Sequence, residues 1–299
     1  MENRTINYDS LIKVVKRMDE EAKLSFFLNA CINEDLSICQ LCLDAKISAN
    51  IKGGLYGETL LMYYLKSKKA TKKVVEWLVN NGADVNGKSI AFSVLTIACE
   101  YTSYEIVKFL KDNGAKFVDI KKRGTTNGDL YWTITNQHGL EKKNRNIDYE
   151  MIEFLLKSGV PYEKDEKSIY NPIYMAIEMD EDKIVELIFK YYDVCPNLRI
   201  NGVCLLHEAV SRKSIKIARL LLEKKADVNA KLEKEGRIKK YRGGLTPMDI
   251  AVFNKDTEMQ ALLTDFGGKE FKDFEEEKER RKKEIEEMEE KIKRMKAEL

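Results

Sequence analysis

Gly82-Ala83-Asp84-Val85-Asn86 returns as Lys225-Ala226-Asp227-Val228-Asn229, each time behind a stretch of helical apolar spacing, Val74 to Asn80 and Ile215 to Lys224. A phrase that recurs behind the same kind of helix marks a chain built from copies of one small unit. Degraded relatives stand at Lys46-Ile47-Ser48-Ala49-Asn50, Gly114-Ala115-Lys116-Phe117, Gly159-Val160-Pro161-Tyr162 and Tyr192-Asp193-Val194-Cys195. Their first residues, 46, 82, 114, 159, 192 and 225, are spaced by 36, 32, 45, 33 and 33. The period is near 33, with one insertion of about a dozen residues in the fourth copy.

A second phrase opens each unit. It is clearest at Gly202-Val203-Cys204-Leu205-Leu206-His207-Glu208-Ala209 and Gly244-Leu245-Thr246-Pro247-Met248-Asp249-Ile250-Ala251. Weaker openings fit at Ser25 to Ala30, Thr59 to Tyr64, Ser93 to Ala98, Leu130 to Thr135 and Asn171 to Ala176. Opening and closing phrases together resemble the ankyrin repeat, whose unit opens on Thr-Pro-Leu-His-x-Ala and closes on Gly-Ala-Asp-Val-Asn. The resemblance covers about seven repeats, residues 23–269, and implies an all-α solenoid of helix-turn-helix-hairpin units.

The chemistry of the unit agrees. A Thr or Ser in the opening phrase caps the first helix, and Pro in its first turn gives up an amide that had no partner there. Second helices carry apolar residues at helical spacing: Ile106, Val107, Phe109 and Leu110, or Ile217, Leu220, Leu221 and Leu222. Gly82, Gly114 and Gly159 fall just past those helices, where a left-handed backbone is wanted. One unit cannot bury its apolar face alone, so the units must stack and the terminal ones need polar outer faces. Residues 1–22 read either as an N-terminal capping helix running from Asp9-Ser10 through Leu11, Val14, Val15 and Met18, or as a decayed repeat keeping its second helix.

Composition points the same way. Of 299 residues 43% are apolar, enough for a sizeable core, and 34% are charged, which suits a helical array with much exposed surface. A net charge of +2 implies no global attraction to nucleic acid or membranes, and nucleic acid is not an expected partner. No apolar run reaches 18 residues, and the charged first 25 residues are unlike a signal peptide; the expectation is a cytoplasmic protein with no membrane partner.

Cys39 and Cys42 form a C-x-x-C, but on a helix from Leu36 to Leu43 with no second Cys or His pair near it. With Cys31, Cys99 and Cys204 they read as buried, reduced core thiols, and neither a metal nor a cofactor is expected. His207 sits at the family's histidine position, where the resemblance implies a structural hydrogen bond. His138 lies in the insertion among Lys, Asn and Glu, with no nucleophile or metal partner in view. P-loop, nucleophile-elbow and zinc-protease motifs do not occur, so no catalytic residue is expected.

Three segments depart from the repeat. Residues 119–129 and 136–148 lengthen the fourth unit. Between Asn229 and Gly243 the last hairpin is lengthened into a finger, Lys231 to Arg242, whose six bases and two acids give it a local charge of +4. Beyond Gly267-Gly268, residues 270–299 hold twelve acids and ten bases, without Gly or Pro. Pairs such as Glu287 with Lys291 support an exposed helix. An apolar seam of Phe271, Phe274, Ile285, Met288, Ile292, Met295 and Leu299 is long enough only for a weak coiled coil.

The resemblance implies a non-enzymatic scaffold or adaptor that binds another protein through its hairpin tips and the concave face of its first helices. Aromatic and basic residues at positions the family leaves free are the candidate contacts: Tyr56, Tyr63, Lys88, Phe92, Arg123, Tyr131, Tyr174, Arg199, Arg237, Lys239, Lys240, Tyr241 and Arg242. An acidic partner surface would match the finger. The alternatives are a self-assembling protein paired through 270–299, against a favoured monomer, and a bacterial or viral effector or inhibitor delivered into a host cell.

Overall fold

The computed structural model describes residues 8–90, 92–117, 128–136, 147–162, 171–233 and 244–271, together with 282, 285, 286 and 288. The chain divides into two compact units, Met1–Glu163 and Lys164–Leu299. The first holds α1 (Tyr8–Lys16), α2 (Glu20–Ile32), α3 (Leu36–Asp44), α4 (Leu60–Lys66), α5 (Lys72–Asn80), α6 (Val94–Tyr101), α7 (Tyr104–Asp112), α8 (Asp129–Asn136) and α9 (Tyr149–Lys157). A short antiparallel hairpin, β1 (Lys52–Gly53) with β2 (Glu58–Thr59), precedes α4. The second holds α10 (Pro172–Glu178), α11 (Asp182–Tyr191), β3 (Arg199–Ile200), β4 (Val203–Cys204), α12 (Leu205–Ser211), α13 (Ile215–Glu223), α14 (Pro247–Phe253) and α15 (Thr257–Asp265).

Within each unit, helix pairs stack as the repeat requires. First helices α2, α4, α6 and α8 pack in one row, and second helices α5, α7 and α9 in another. The second unit repeats this with α10, α12 and α14 beside α11, α13 and α15. The architecture is an all-α stack of helix pairs, as expected. The cores lie between the rows, where Leu61, Leu95, Ile97 and Leu110 in one unit and Leu205, Ile217, Leu221 and Ile250 in the other are essentially inaccessible. Helix α1 packs on α3, the place a preceding unit's second helix would take.

Capping explains where the first helices start. Thr59 Oγ1 accepts from the Met62 amide at 3.3 Å, Ser93 Oγ from Thr96 at 3.1 Å and Thr246 Oγ1 from Asp249 at 3.3 Å, while Asn171 and Thr246 are each followed by proline. The first unit departs from expectation. Its helix is capped by Asp19, whose carboxylate accepts from the Ala22 amide at 2.7 Å, so α2 starts at Glu20, ahead of the boundary drawn at residue 23, and Ser25 lies inside the helix.

Second helices end on a left-handed residue: Gly82, Gly114, Gly159 and Gly267, with Lys46 and Lys225 carrying the same strain at φ 69° and 70°. That turn aims the next amide back at the helix, as in Ala83 N to Leu78 O and Ala226 N to Leu221 O, both 2.9 Å. Helix α11 ends differently. Tyr192 is extended, at φ −128°.

The last residue of the closing phrase turns out to join successive units. Asn50 Nδ2 donates to the Gly82 carbonyl at 2.7 Å while its Oδ1 accepts from the Asp84 amide at 2.7 Å. Asn86 does the same with Gly114 O and the Lys116 amide, and Asn229 with Gly267 O and the Lys269 amide. Asn197 Oδ1 accepts from the Asp227 amide at 2.7 Å, which makes the fifth closing phrase Asp193-Val194-Cys195-Pro196-Asn197. The register drawn from Tyr192 is one residue early. Replacing Asn86 with Ala removes two cross-unit hydrogen bonds, and we expect a loss of about 1–2 kcal/mol in urea unfolding. An unchanged midpoint would make the ladder incidental.

Most of 119–129 and 136–148, with His138, and residues 234–243 of the finger lie outside the described residues. So does the C-terminal segment apart from 270, 271, 282, 285, 286 and 288. There, Ile285 and Met288 are 58% and 62% exposed on helical backbone, and Lys282 pairs with Glu286 at 3.9 Å. The Phe271 amide donates to the Asp249 carboxylate at 3.0 Å, and the ring lies under the Lys231 ammonium, 4.9 Å away.

Candidate protein-interaction surface

Hairpins run between the helix pairs, and the Asn ladder holds successive closing turns at fixed spacing. In the first unit the β1–β2 turn is Gly53-Gly54-Leu55-Tyr56-Gly57. Gly54 is left-handed at φ 66°, a conformation that favours glycine, and the Tyr63 hydroxyl packs against it. Tyr56 is 58% exposed and Tyr63 half-buried. In the next hairpin Lys88 bridges to Ser93 and its side chain is exposed. The Ile90 amide donates to the Tyr56 carbonyl at 3.0 Å and ties the two tips together.

Behind these tips the first helices carry an aromatic and charged cluster. The rings of Phe92 and Trp132 meet edge to face at 6.0 Å, and those of Trp132 and Tyr131 at 5.3 Å. Lys66 Nζ sits 5.8 Å over Phe92 and pairs with Glu58, a carboxylate only 5% exposed. Burial raises the carboxyl of Glu100 above its ordinary range and, together with a hydrogen bond to Glu100, pushes the Tyr101 phenol up to about 12. Phe92 and Tyr131 therefore serve packing as well as surface.

In the second unit two of the expected contact residues are engaged within the fold. Tyr174 is 3% exposed, and its hydroxyl donates to Glu208 at 3.3 Å across one repeat period. Glu208 is itself buried and paired with Arg212 at 2.8 Å, which also reaches Glu178 at 3.0 Å. Tyr174 is thus a core residue. Arg199 donates to the Lys231 carbonyl at 2.9 Å and pairs with Glu233 at 3.4 Å, so its guanidinium braces the base of the finger. Leu232 and Gly244 close that base, with Leu232 N on Leu245 O at 2.9 Å and Gly244 N on Leu232 O at 2.8 Å. Arg123, Arg237, Lys239, Lys240, Tyr241 and Arg242 lie outside the described residues.

Leu55 and Ile90 escaped the sequence reading. They are 92% and 79% exposed, at the two tips joined by the Ile90 to Tyr56 hydrogen bond. Apolar residues in glycine-rich or Lys-Ser turns, Gly53-Gly54-Leu55-Tyr56-Gly57 and Gly87-Lys88-Ser89-Ile90, are the available signal.

The remaining chemistry is structural. Among the described residues no group of three or more His, Cys, Asp or Glu could hold a metal. Cys31, Cys39, Cys42, Cys99 and Cys204 are buried free thiols, with Cys31 Sγ 3.8 Å from Cys39 Sγ. Burial pushes Cys42 up to about 12 and Cys204 to about 11, so neither forms a ready thiolate. His207 is inaccessible and shares a 3.1 Å hydrogen bond with the Leu245 carbonyl through Nε2, joining α12 to the opening of the next unit. Among the described residues no helix is long and apolar enough to cross a membrane.

Comparison with known proteins agrees with this architecture. The family model for ankyrin repeats in three copies matches residues 27–122 and 142–232. The crystal structure of the ankyrin repeat domain of Bcl-3, a member of the IkappaB protein family, is similar at 19% identity and a TM-score of 0.58, over 80% of this chain and 97% of that one. That of the human ASB11 ankyrin repeat domain gives 19% identity and a TM-score of 0.49 over 71% and 85%. At these identities the likeness concerns the fold. No curated protein matches the chain in sequence.

Proposed function

From the premise that the chain belongs to the ankyrin-repeat family, we propose that it is a non-enzymatic scaffold that binds another protein through its hairpin tips and first helices. The observation that carries this reading is the hairpin edge of the first unit. Its Asn ladder and cross-hairpin bond fix the backbone of the tips in place, and the side chains of Tyr56 and Lys88 there are exposed. A backbone already held in place loses little entropy on association, which favours a binding edge. Tyr63, Phe92 and Tyr131 continue that surface along the first helices.

The basic finger extends the same logic. Arg199 and the Leu232 to Leu245 bond anchor its base beside the preceding hairpin, and its four distal bases, Arg237, Lys239, Lys240 and Arg242, would steer an acidic partner surface into contact. Arg123, in the fourth repeat, is proposed as a separate basic contact.

Replacing all four distal bases with Glu should slow association about tenfold at low salt and change dissociation far less. Surface plasmon resonance against a captured partner reads both rates. Equal association rates for wild type and variant would remove the finger from the surface.

A further inference from the structure

Leu55, Tyr56 and Ile90 are 92%, 58% and 79% exposed, on two tips held together by a hydrogen bond. Single exposed apolar side chains are ordinary, but three in one place are not. Contiguous exposed apolar surface on a monomer is commonly functional, and these two tips bring such side chains together. We propose that these three side chains form a docking site for a segment of a partner protein whose apolar anchors are flanked by carboxylates, an assignment that rests on the protein-binding reading above.

Charge decides the partner's chemistry. The described residues of the two tips, 51–59 and 87–93, carry three charged side chains, Lys52, Glu58 and Lys88. Glu58 is withdrawn, 5% exposed and paired with Lys66. Lys52 and Lys88 are both exposed, and Lys52 Nζ reaches the Lys88 carbonyl at 3.5 Å, which sets its ammonium between the tips. Among the described residues of the two tips themselves, the exposed charges beside the apolar side chains are therefore the two ammoniums. An aspartate- or glutamate-flanked apolar segment complements them, whereas a basic segment would lose its own hydration against two ammoniums.

An anionic membrane would meet the same signs of charge. It is disfavoured because juxtamembrane recruitment uses clusters of four to eight basic residues, and these tips offer two. The tips are also held by backbone pairing: Lys52 pairs with Thr59, Gly53 with Glu58, and Lys88 with Ser93. Tips held in this way suit the side-chain pockets and anchors of a protein interface.

The test is selection of a phage-displayed random peptide library on the immobilised full-length chain, with each enriched peptide measured against Leu55→Ser/Ile90→Ser and Lys52→Glu/Lys88→Glu variants. Both pairs are exposed, and circular dichroism should leave their helical content unchanged. The proposal expects enriched peptides with apolar residues between Asp or Glu. It also expects affinity to fall by roughly tenfold or more in each variant, and binding by the Lys pair to weaken with added salt.

Peptides that bind the Leu55→Ser/Ile90→Ser variant as well as wild type would overturn the proposal while leaving the scaffold reading intact. Absence of enrichment would overturn a linear segment as occupant. Cosedimentation with phosphatidylserine vesicles that is lost in the same variant would overturn it in favour of a membrane. The scaffold reading itself stands or falls on capture of a protein partner, a separate readout.

Discussion

Acidification from pH 7 to about pH 4 is expected to remove about 3 kcal/mol of stability from the second unit through one residue, His207. Burial lowers its pKa to about 4; the nearby Arg199 charge acts in the same direction, and the Leu245 and Ala230 carbonyls offset part of the effect. A histidine whose folded pKa lies below its unfolded value, about 6.5, binds more protons in the unfolded chain. Its contribution is therefore complete above pH 6.5 and is lost progressively as the pH falls towards 4. Urea unfolding at half-unit pH steps should show stability declining through this window, ahead of most carboxylate titration. In a His207→Gln variant the slope between pH 6.5 and 4.5 should flatten, whatever its absolute stability. A wild-type profile that is already flat there would mean that the imidazole is accessible or partnered when charged.

Replacing Thr96 with Val is expected to cost the first unit about 2–3 kcal/mol, although the two side chains have nearly the same shape. Thr96 is 3% exposed, and its hydroxyl donates to Asp129 Oδ1 at 2.6 Å, reaching from α6 to the first turn of α8 one repeat away. Asp129 is 2% exposed, so its carboxylate cannot recover the lost donor from water. Hydrogen bonds to charged groups contribute more than neutral ones, and a buried carboxylate that loses one of its donors is costly. The Ser93 hydroxyl, 2.7 Å from Thr96 Oγ1, would lose its neighbour too. Thr96→Ser, which keeps the hydroxyl, should recover most of the loss in urea melts. If Val were no more destabilising than Ser, the hydroxyl-carboxylate bond would not be the source of the loss.

How much of this was legible in the sequence follows from where each signal is stored. The repeat, its caps and its left-handed closures are written within a few residues of where they act. Gly82 can be read as a helix end, and Thr246-Pro247 as a helix start, without knowledge of any partner. Where the local signal is missing, the sequence misplaces the element. Helix α11 ends on an extended Tyr192 with no glycine, so the register of the fifth closing phrase was set one residue early, and only Asn197 reaching Asp227 in the next unit reveals it. Asp19 serves as cap to a helix whose repeat phrase was sought at Ser25.

The surface was harder to read because exposure is a long-range property. Tyr174 and Tyr56 look alike in sequence, each an aromatic where the family is permissive. Glu208, 34 residues downstream, draws the Tyr174 hydroxyl into the core, and nothing does so for Tyr56. Weighting aromatic and Arg residues as anchors passed over Leu55 and Ile90, whose significance lies in sitting on adjacent tips.

The central claim is that a partner protein is held by the hairpin edge. Its most direct test is affinity capture from lysate of the source cell, read by quantitative mass spectrometry. Wild type would be compared with a variant carrying Leu55→Ser and Ile90→Ser together with Glu at Arg237, Lys239, Lys240 and Arg242. The account predicts at least one protein captured strongly by wild type and lost from the variant. Recovery of the same proteins in the same amounts with both baits would contradict it.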